Sequence, residues 1–198
     1  MKGGLQVKIP NFGPPEEWAP INGFMRYEIS NYGRINNLER NIEIKATLNQ
    51  YGDWRVGLYA DFVIFDDDNP SARIRRAQRT RLVKTLVADA FVPGKDTRFN
   101  TPILVDGNKD HIWAHNMMWR ERWYAHSYTH QFSKQVMKQF RMGPIVEIDS
   151  RGIIVKVYDD IIEAGITNGL LFELIWRNIH EKKPVHPTNQ IFAWADKV

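Results

Sequence analysis

Two short alternating segments, MRYEISNYG and RINNLE, meet at Asn31-Tyr32-Gly33, and this junction constrains the fold more than any other feature of the chain. Asn and Gly tolerate the positive φ of a tight hairpin, so the segments are expected to be antiparallel strands joined at that turn. WRVGLYA supplies a third strand by alternating large and small side chains. FVIFDDDNPSARIRR follows with an apolar run, a loop from Asp66 to Pro70 and a basic return, which completes a small antiparallel sheet. Thr80 to Phe91 switches to a helical period, placing Leu82, Leu86, Val87 and Ala90 on one side until Pro93-Gly94 stops it.

The next 25 or so residues are rich in Gly, Asn, Asp and Pro, as in an irregular loop, and a helix and linker are expected between Arg120 and Met142. Beyond Gly143-Pro144, PIVEIDSRGIIVKVY reads as a hairpin turning at Asp149 to Gly152. DDIIEAGITNGLLFELIWRNI reads as helix, turn, helix, with Gly165 at the left-handed end of the first helix and Thr167 or Asn168 capping the second. IFAWADK is expected to return as a strand. The predicted class is α+β, divided as an extended arm over 1–15, a sheet module over 16–78, a core with basic linker over 79–142 and a strand/helix-turn-helix module over 143–198. No internal repeat or low-complexity segment interrupts this order.

The 198 residues suffice to bury a core, and the absence of cysteine removes disulfides and thiolate metal sites. No apolar run reaches the roughly 20 residues of a membrane span, and MKGGLQVKIP lacks the centre of a signal peptide. The expectation is a cytoplasmic protein with no membrane partner. A formal charge of +4 favours polyanions, and its placement sharpens this: Arg73, Arg75, Arg76, Arg79, Arg81 and Lys84 fall within 12 residues. The linker adds Arg120, Arg122, Lys134, Lys138 and Arg141 among Trp123, Tyr124, Tyr128 and Phe132. In the last module Thr167, Asn168, Arg177 and Asn178 flank or occupy the second helix, which is apolar enough to be a protein-contact surface instead.

EEWAPINGFMRYEISNYGRINNL resembles the amino-terminal module of phage-type HNH homing endonucleases through Trp18, Gly23, Tyr27, Glu28, Ser30, Asn31, Gly33 and Arg34. LVKTLVADAFVPG is similar to that family's helix, DGNK with Asn116 and Trp119 to its active-site loop, and residues 144–196 to its terminal module. The resemblance implies a ββα-metal-like core, double-stranded DNA as partner and a divalent ion such as Mg²⁺ in active members. The positions that would carry the chemistry are altered here. Lys84 replaces a histidine on the helix. Leu104 stands at the general base and Ile103 at the preceding carboxylate. His111-Ile112 replace a pair of asparagines, and Ala125 falls where Asn or His is expected.

A neutral imidazole and hard metal ligands are needed to activate water on a phosphodiester, and Leu104 has no lone pair. The expectation is therefore a pseudoenzyme with a degenerate site and no cofactor, a metal entering only if residual nuclease activity persists. His111, His115, His126 and His130 form two pairs four apart, but neither has the glutamate of HExxH, and no metal site is expected there. Asp106 is expected to cap its own turn. The function expected is DNA binding for a regulatory, packaging or architectural task. The alternatives are a factor docking on a phage or host polymerase, nuclease or virion component, which allows a virion-associated location, and a residual metal-dependent nickase.

Overall fold

The computed structural model describes residues 13–66, 69–140 and 142–197, with backbone alone over 62–66 and 69–74. The arm's residues 1–12, Asp67, Asp68, Arg141 and the side chain of Arg73 lie outside that description. The chain separates into two compact units, one built from residues up to Leu104 together with Asn108–Trp119, the other from Val105–Gly107 together with Arg120 onward.

The first unit opens with β1 (Trp18–Pro20), β2 (Tyr27–Ser30), β3 (Ile35–Asn37) and β4 (Ile42–Glu43), an antiparallel sheet in sequence order. The expected β2–β3 hairpin is present, with Ile29 opposite Ile35. Gly33 alone takes positive φ, at 86°. Asn31 serves differently: its side chain accepts from Glu17 N at 3.1 Å and donates to Pro15 O at 2.9 Å. Tyr32 donates its hydroxyl to Pro14 O at 2.5 Å, so this turn pins the entering chain through its backbone.

A second sheet, rather than a continuation of the first, holds β5 (Thr47–Leu48), β6 (Trp54–Asp66) and β7 (Asn69–Leu82) in that order. β6 and β7 form one long antiparallel ribbon whose register runs from Arg55 opposite Leu82 to Asp66 opposite Asn69. Trp54, Val56, Leu58 and Ala60 are buried while Arg55, Tyr59 and Asp61 are exposed, the period of a half-buried strand. The helix α1 (Val83–Phe91) starts three residues later than its periodicity suggests. Thr80, Arg81 and Leu82 still pair with Gly57, Val56 and Arg55, and cross-strand hydrogen bonding overrides the helical pattern. Val83, Leu86, Val87 and Ala88 form its buried side, and Ala90 faces solvent. This helix packs with β2, β3 and β6 residues into one core that includes Ile29, Ile35, Leu58, Val83 and Val87.

After α1 the irregular stretch contains two strands the sequence does not announce, β8 (Thr101–Leu104) and β9 (Met117–Arg120), which pair with each other. Then come α2 (Arg122–His130) and α3 (Lys134–Gln139), so a β, β, α order runs through residues 101–130.

The second unit's sheet holds β10 (Ile145–Ile148), β11 (Ile154–Tyr158) and β12 (Ile191–Trp194) in the order β11-β10-β12. The Asp149–Gly152 turn and the returning terminal strand are as expected. Asp149 accepts from Arg151 N and Ile153 N, both at 2.9 Å. These bonds, with the Ile153 amide foremost and then the Arg151 guanidinium, hold its carboxyl below the usual range. Helices α4 (Ile161–Asn168) and α5 (Phe172–Glu181) are joined by three residues.

The sequence places the left-handed residue one turn too early. Gly169, at φ 61°, ends α4, while Gly165 is helical and lies against Phe172, whose ring would be 2.5 Å from any Cβ there. Neither Thr167 nor Asn168 caps α5, whose N-cap is Leu171. The apolar run GLLFELIW is mostly core, since Leu170, Phe172 and Ile175 are fully buried. Among the described residues, no helix is long and apolar enough to cross a membrane.

Candidate nucleic-acid interface

Along β7, Arg75, Ala77, Arg79 and Arg81 share one side of the ribbon by parity and Arg76, Gln78 and Thr80 the other. β7 is the outer strand of its sheet. Arg75, Arg79 and Arg81 are exposed, and Arg81 lies over the Phe24 ring, its Cζ 5.5 Å from the centroid. Arg76 is engaged differently, its Nε 3.2 Å from Asp61, a carboxylate that also takes Arg26 at 2.5 Å. Alternate residues on a strand are about 6.8 Å apart, so Arg79 and Arg81 present two cations at a repeat suited to successive phosphates. The backbone also puts Arg73 in β7.

The core positions singled out in the sequence have fixed partners. Lys84, on the first turn of α1, donates to Asp53 Oδ1 at 3.1 Å. Lys109 approaches the same oxygen at 3.7 Å and donates to Tyr51 O at 2.6 Å. One carboxylate thus serves two ammonium groups, and side-chain exposures of 18% for Asp53 and 25% for Lys84 leave the pair only partly open to water. Sequence reasoning missed Asp53, because nothing local ties residue 53 to residues 84 and 109.

Ile103 is buried and Leu104 packs against the core of the first unit. Asn108 caps the backbone two residues on, accepting from Asp110 N at 3.0 Å. Its amide also meets His111 Nε2 at 3.1 Å. Asp110 in turn accepts from Trp54 Nε1 at 2.8 Å. His111 stacks on Trp113 with centroids 4.3 Å apart, and Trp113 on His115 at 5.5 Å. Asn116 donates to the His111 carbonyl at 2.9 Å. These side chains rigidify the loop.

A divalent ion would need converging oxygen or imidazole donors at this position. An ammonium, two aliphatic side chains and a stacked imidazole do not fit it, and among the described residues no group of three or more His, Asp or Glu is placed so that it could hold a metal ion.

The second unit takes the DGNK loop's Asp106 and Gly107. Gly107 has φ 71°, and a Cβ on it would be 2.3 Å from the Phe132 ring, so two independent constraints require glycine. Ala125 is buried on α2 beside Tyr124 and Tyr128. Tyr124 donates to Gly169 O at 3.3 Å and accepts from Leu171 N at 2.9 Å. Burial, opposed by that amide and by Arg120, pushes its phenol up to about 12. Tyr128 donates to Val105 O at 2.7 Å, and burial raises its phenol further.

The cations of this unit are divided in use. Arg120 reaches Asn168 O at 3.2 Å and Gly169 O at 3.4 Å, closing the end of α4. Arg122, Lys134 and Lys138 are exposed. Arg177 pairs with Glu173 one turn away. Thr167 is exposed, but Asn168 is committed inside the unit, donating to Tyr158 Oη at 2.9 Å and accepting from Gln190 at 3.1 Å. Asn178 is buried, accepting from Phe192 N at 2.6 Å and donating to the Lys183 carbonyl.

With this geometry in place, the chain can be set beside known proteins. Residues 16–59 match the family described as the NUMOD4 motif, and the recognition drawn from EEWAPINGFMRYEISNYGRINNL stands on that segment. The chain is similar to the HNH homing endonuclease I-HmuI, a DNA-binding and DNA-cleaving protein, at 22% identity and a TM-score of 0.45 over 90% of this chain and 97% of that one. No curated protein matches.

Proposed function

We propose that the protein is a DNA-binding member of the HNH homing endonuclease lineage that grips duplex DNA without cutting it. The observation that carries this reading is the long β6–β7 ribbon with its outer strand lined by arginines. A major groove about 12 Å wide admits a two-stranded ribbon. Arg75, Arg79 and Arg81 supply phosphate contacts, with Arg73 continuing the row in sequence, while Arg122, Lys134 and Lys138 offer further contacts from the second unit. Lys84 is held by Asp53 and Arg120 by α4, so neither is needed for the grip. An arginine-rich edge also deters strand-to-strand aggregation, and salt dependence separates the two roles.

Replacing Arg75, Arg79 and Arg81 together by alanine is expected to weaken duplex binding and make the slope of log K against log salt shallower by about two to three, roughly 0.9 per phosphate contact. Fluorescence anisotropy at several salt concentrations measures this, and an unchanged slope removes the ribbon from the interface.

Catalytic silence follows from the donors in the core. Without base and ligands the reaction loses a factor of about 10² to 10⁴ for proton transfer alone, before the missing charge stabilisation is counted. Supercoiled plasmid incubated with the protein and Mg²⁺ or Mn²⁺ is expected to stay unnicked. Metal-dependent nicking abolished by joint Asp106→Ala and His111→Ala substitutions would overturn this reading.

A second reading, docking on a protein partner, is favoured by β11 rather than by α5. Ile154, Val155 and Val157 are 47%, 62% and 60% exposed on this outer strand, and Ile153 just before it is 54% exposed. A stoichiometric partner that copurifies after nuclease treatment, from a chain without duplex affinity, would favour it.

A further inference from the structure

The imidazoles of His126 and His130 lie one turn apart on α2 with their Nε2 atoms 3.3 Å from each other. Their ring centroids are 4.5 Å apart, so the rings converge at their Nε2 edges and diverge behind them. Both residues are exposed, and both line a groove of about 780 Å³ in the second unit whose wall includes Gln131, Phe140, Glu173, Trp176 and Arg177.

Two nitrogens that each sit about 2.0–2.1 Å from one ion are about 3.3–3.4 Å apart around a tetrahedral centre and about 2.8–3.0 Å apart at adjacent positions of a square-planar or octahedral one, a difference that a small rotation of the exposed rings covers. The pair therefore already has the bite of a chelate. One turn of helix, anchored by buried Tyr124, Ala125 and Tyr128 on its opposite side, holds the two rings at that separation before any ligand arrives.

In the state described, one imidazole donates to the other, so at least one Nε2 carries no proton and has a lone pair ready. To ligate an ion at both, the donating ring moves its proton to Nδ1, a change of tautomer with no net proton lost. The residues around the pair do not compete for it. Glu173 is paired with Arg177, and Gln131 uses its amide within the unit, donating to Leu170 O at 3.3 Å and accepting from Phe172 N at 2.9 Å.

We propose that His126 and His130 form a two-histidine site for a late first-row divalent metal, Zn²⁺, Ni²⁺ or Cu²⁺, at the edge of this groove. Imidazole nitrogen suits those ions and not Mg²⁺, which requires oxygen ligands. Solvent completes the coordination. The site uses the exposed side of α2, not the side that buries Ala125, and does not depend on whether the ribbon binds DNA.

Titrating the full-length protein with Ni²⁺, followed by calorimetry and by imidazole NMR resonances, tests the proposal. Saturable binding of one ion is expected, with the signals of His126 and His130 perturbed together and an excess of Mg²⁺ without effect. His126→Gln and His130→Gln should each weaken binding by about 10²-fold or more, the advantage of tethering the second ligand, whereas His180→Gln should leave it unchanged. Both positions are exposed, and an unaltered circular dichroism spectrum separates loss of the site from loss of the fold. Absence of binding at millimolar Ni²⁺, binding that survives the double substitution, or sensitivity to only one of the two histidines would overturn the assignment.

Discussion

Phe172→Ala is expected to destabilise the second unit by about 3–5 kcal/mol, the range for deleting a large aromatic from a packed interior. Phe172 is fully buried. Its ring meets Phe132 edge-on at 5.7 Å and Phe140 at 5.9 Å, and it fills the space left by the missing side chain of Gly165. Removing it leaves a void that neither partner can close without abandoning its own contacts. Urea unfolding followed by tryptophan fluorescence measures the effect, and a loss below about 1 kcal/mol would mean that α4 and α5 repack freely. Phe172→Leu should recover most of the loss.

Gly107→Ala should cost about 2–4 kcal/mol through two separable causes. Left-handed backbone in a residue bearing a Cβ accounts for about 1 kcal/mol, and displacing the Phe132 ring for about 1–3 kcal/mol more. A double-mutant cycle distinguishes them. Against a Phe132→Ala background only the backbone share should remain, because the colliding ring is gone. Equal costs in both backgrounds would assign the whole effect to φ. Gly107 of the DGNK loop is thus held by conformational and steric demands that do not involve catalysis.

The features legible in the sequence are those fixed by a few adjacent residues. Gly33 marks its hairpin because positive φ is required at that spot, and Asp149–Gly152 marks another because one carboxylate satisfies two nearby amides. What depends on distant partners is not legible. The start of α1 is displaced by pairing with Arg55–Gly57, some 25 residues earlier in the chain. The roles of Gly165 and Gly169 exchange because Phe172 occupies the first glycine's free space and because α4 continues to Asn168. Asn168 and Asn178 look like groove-reading side chains on a list of polar residues, yet both are consumed by bonds inside the unit.

The same distinction applies to the site. The arginine density of RIRRAQRTR is visible in one dimension, but only register shows that Arg75, Arg79 and Arg81 share a side while Arg76 turns to Asp61. That Leu104 offers no lone pair can be read from the sequence alone. The fate of Lys84 cannot, because its counter-charge lies 31 positions away. For His126 and His130 the four-residue spacing is visible, and the rotamers that bring their Nε2 atoms together are not.

Asp53, shared by Lys84 and Lys109, also decides what an imidazole at position 84 would meet. A Lys84→His substitution would leave that carboxylate under the second ammonium and Leu104 still without a lone pair. On the proposed reading of a protein that grips DNA without cutting it, an exchange at either position alone is therefore expected to alter charge or packing and to yield no nicking.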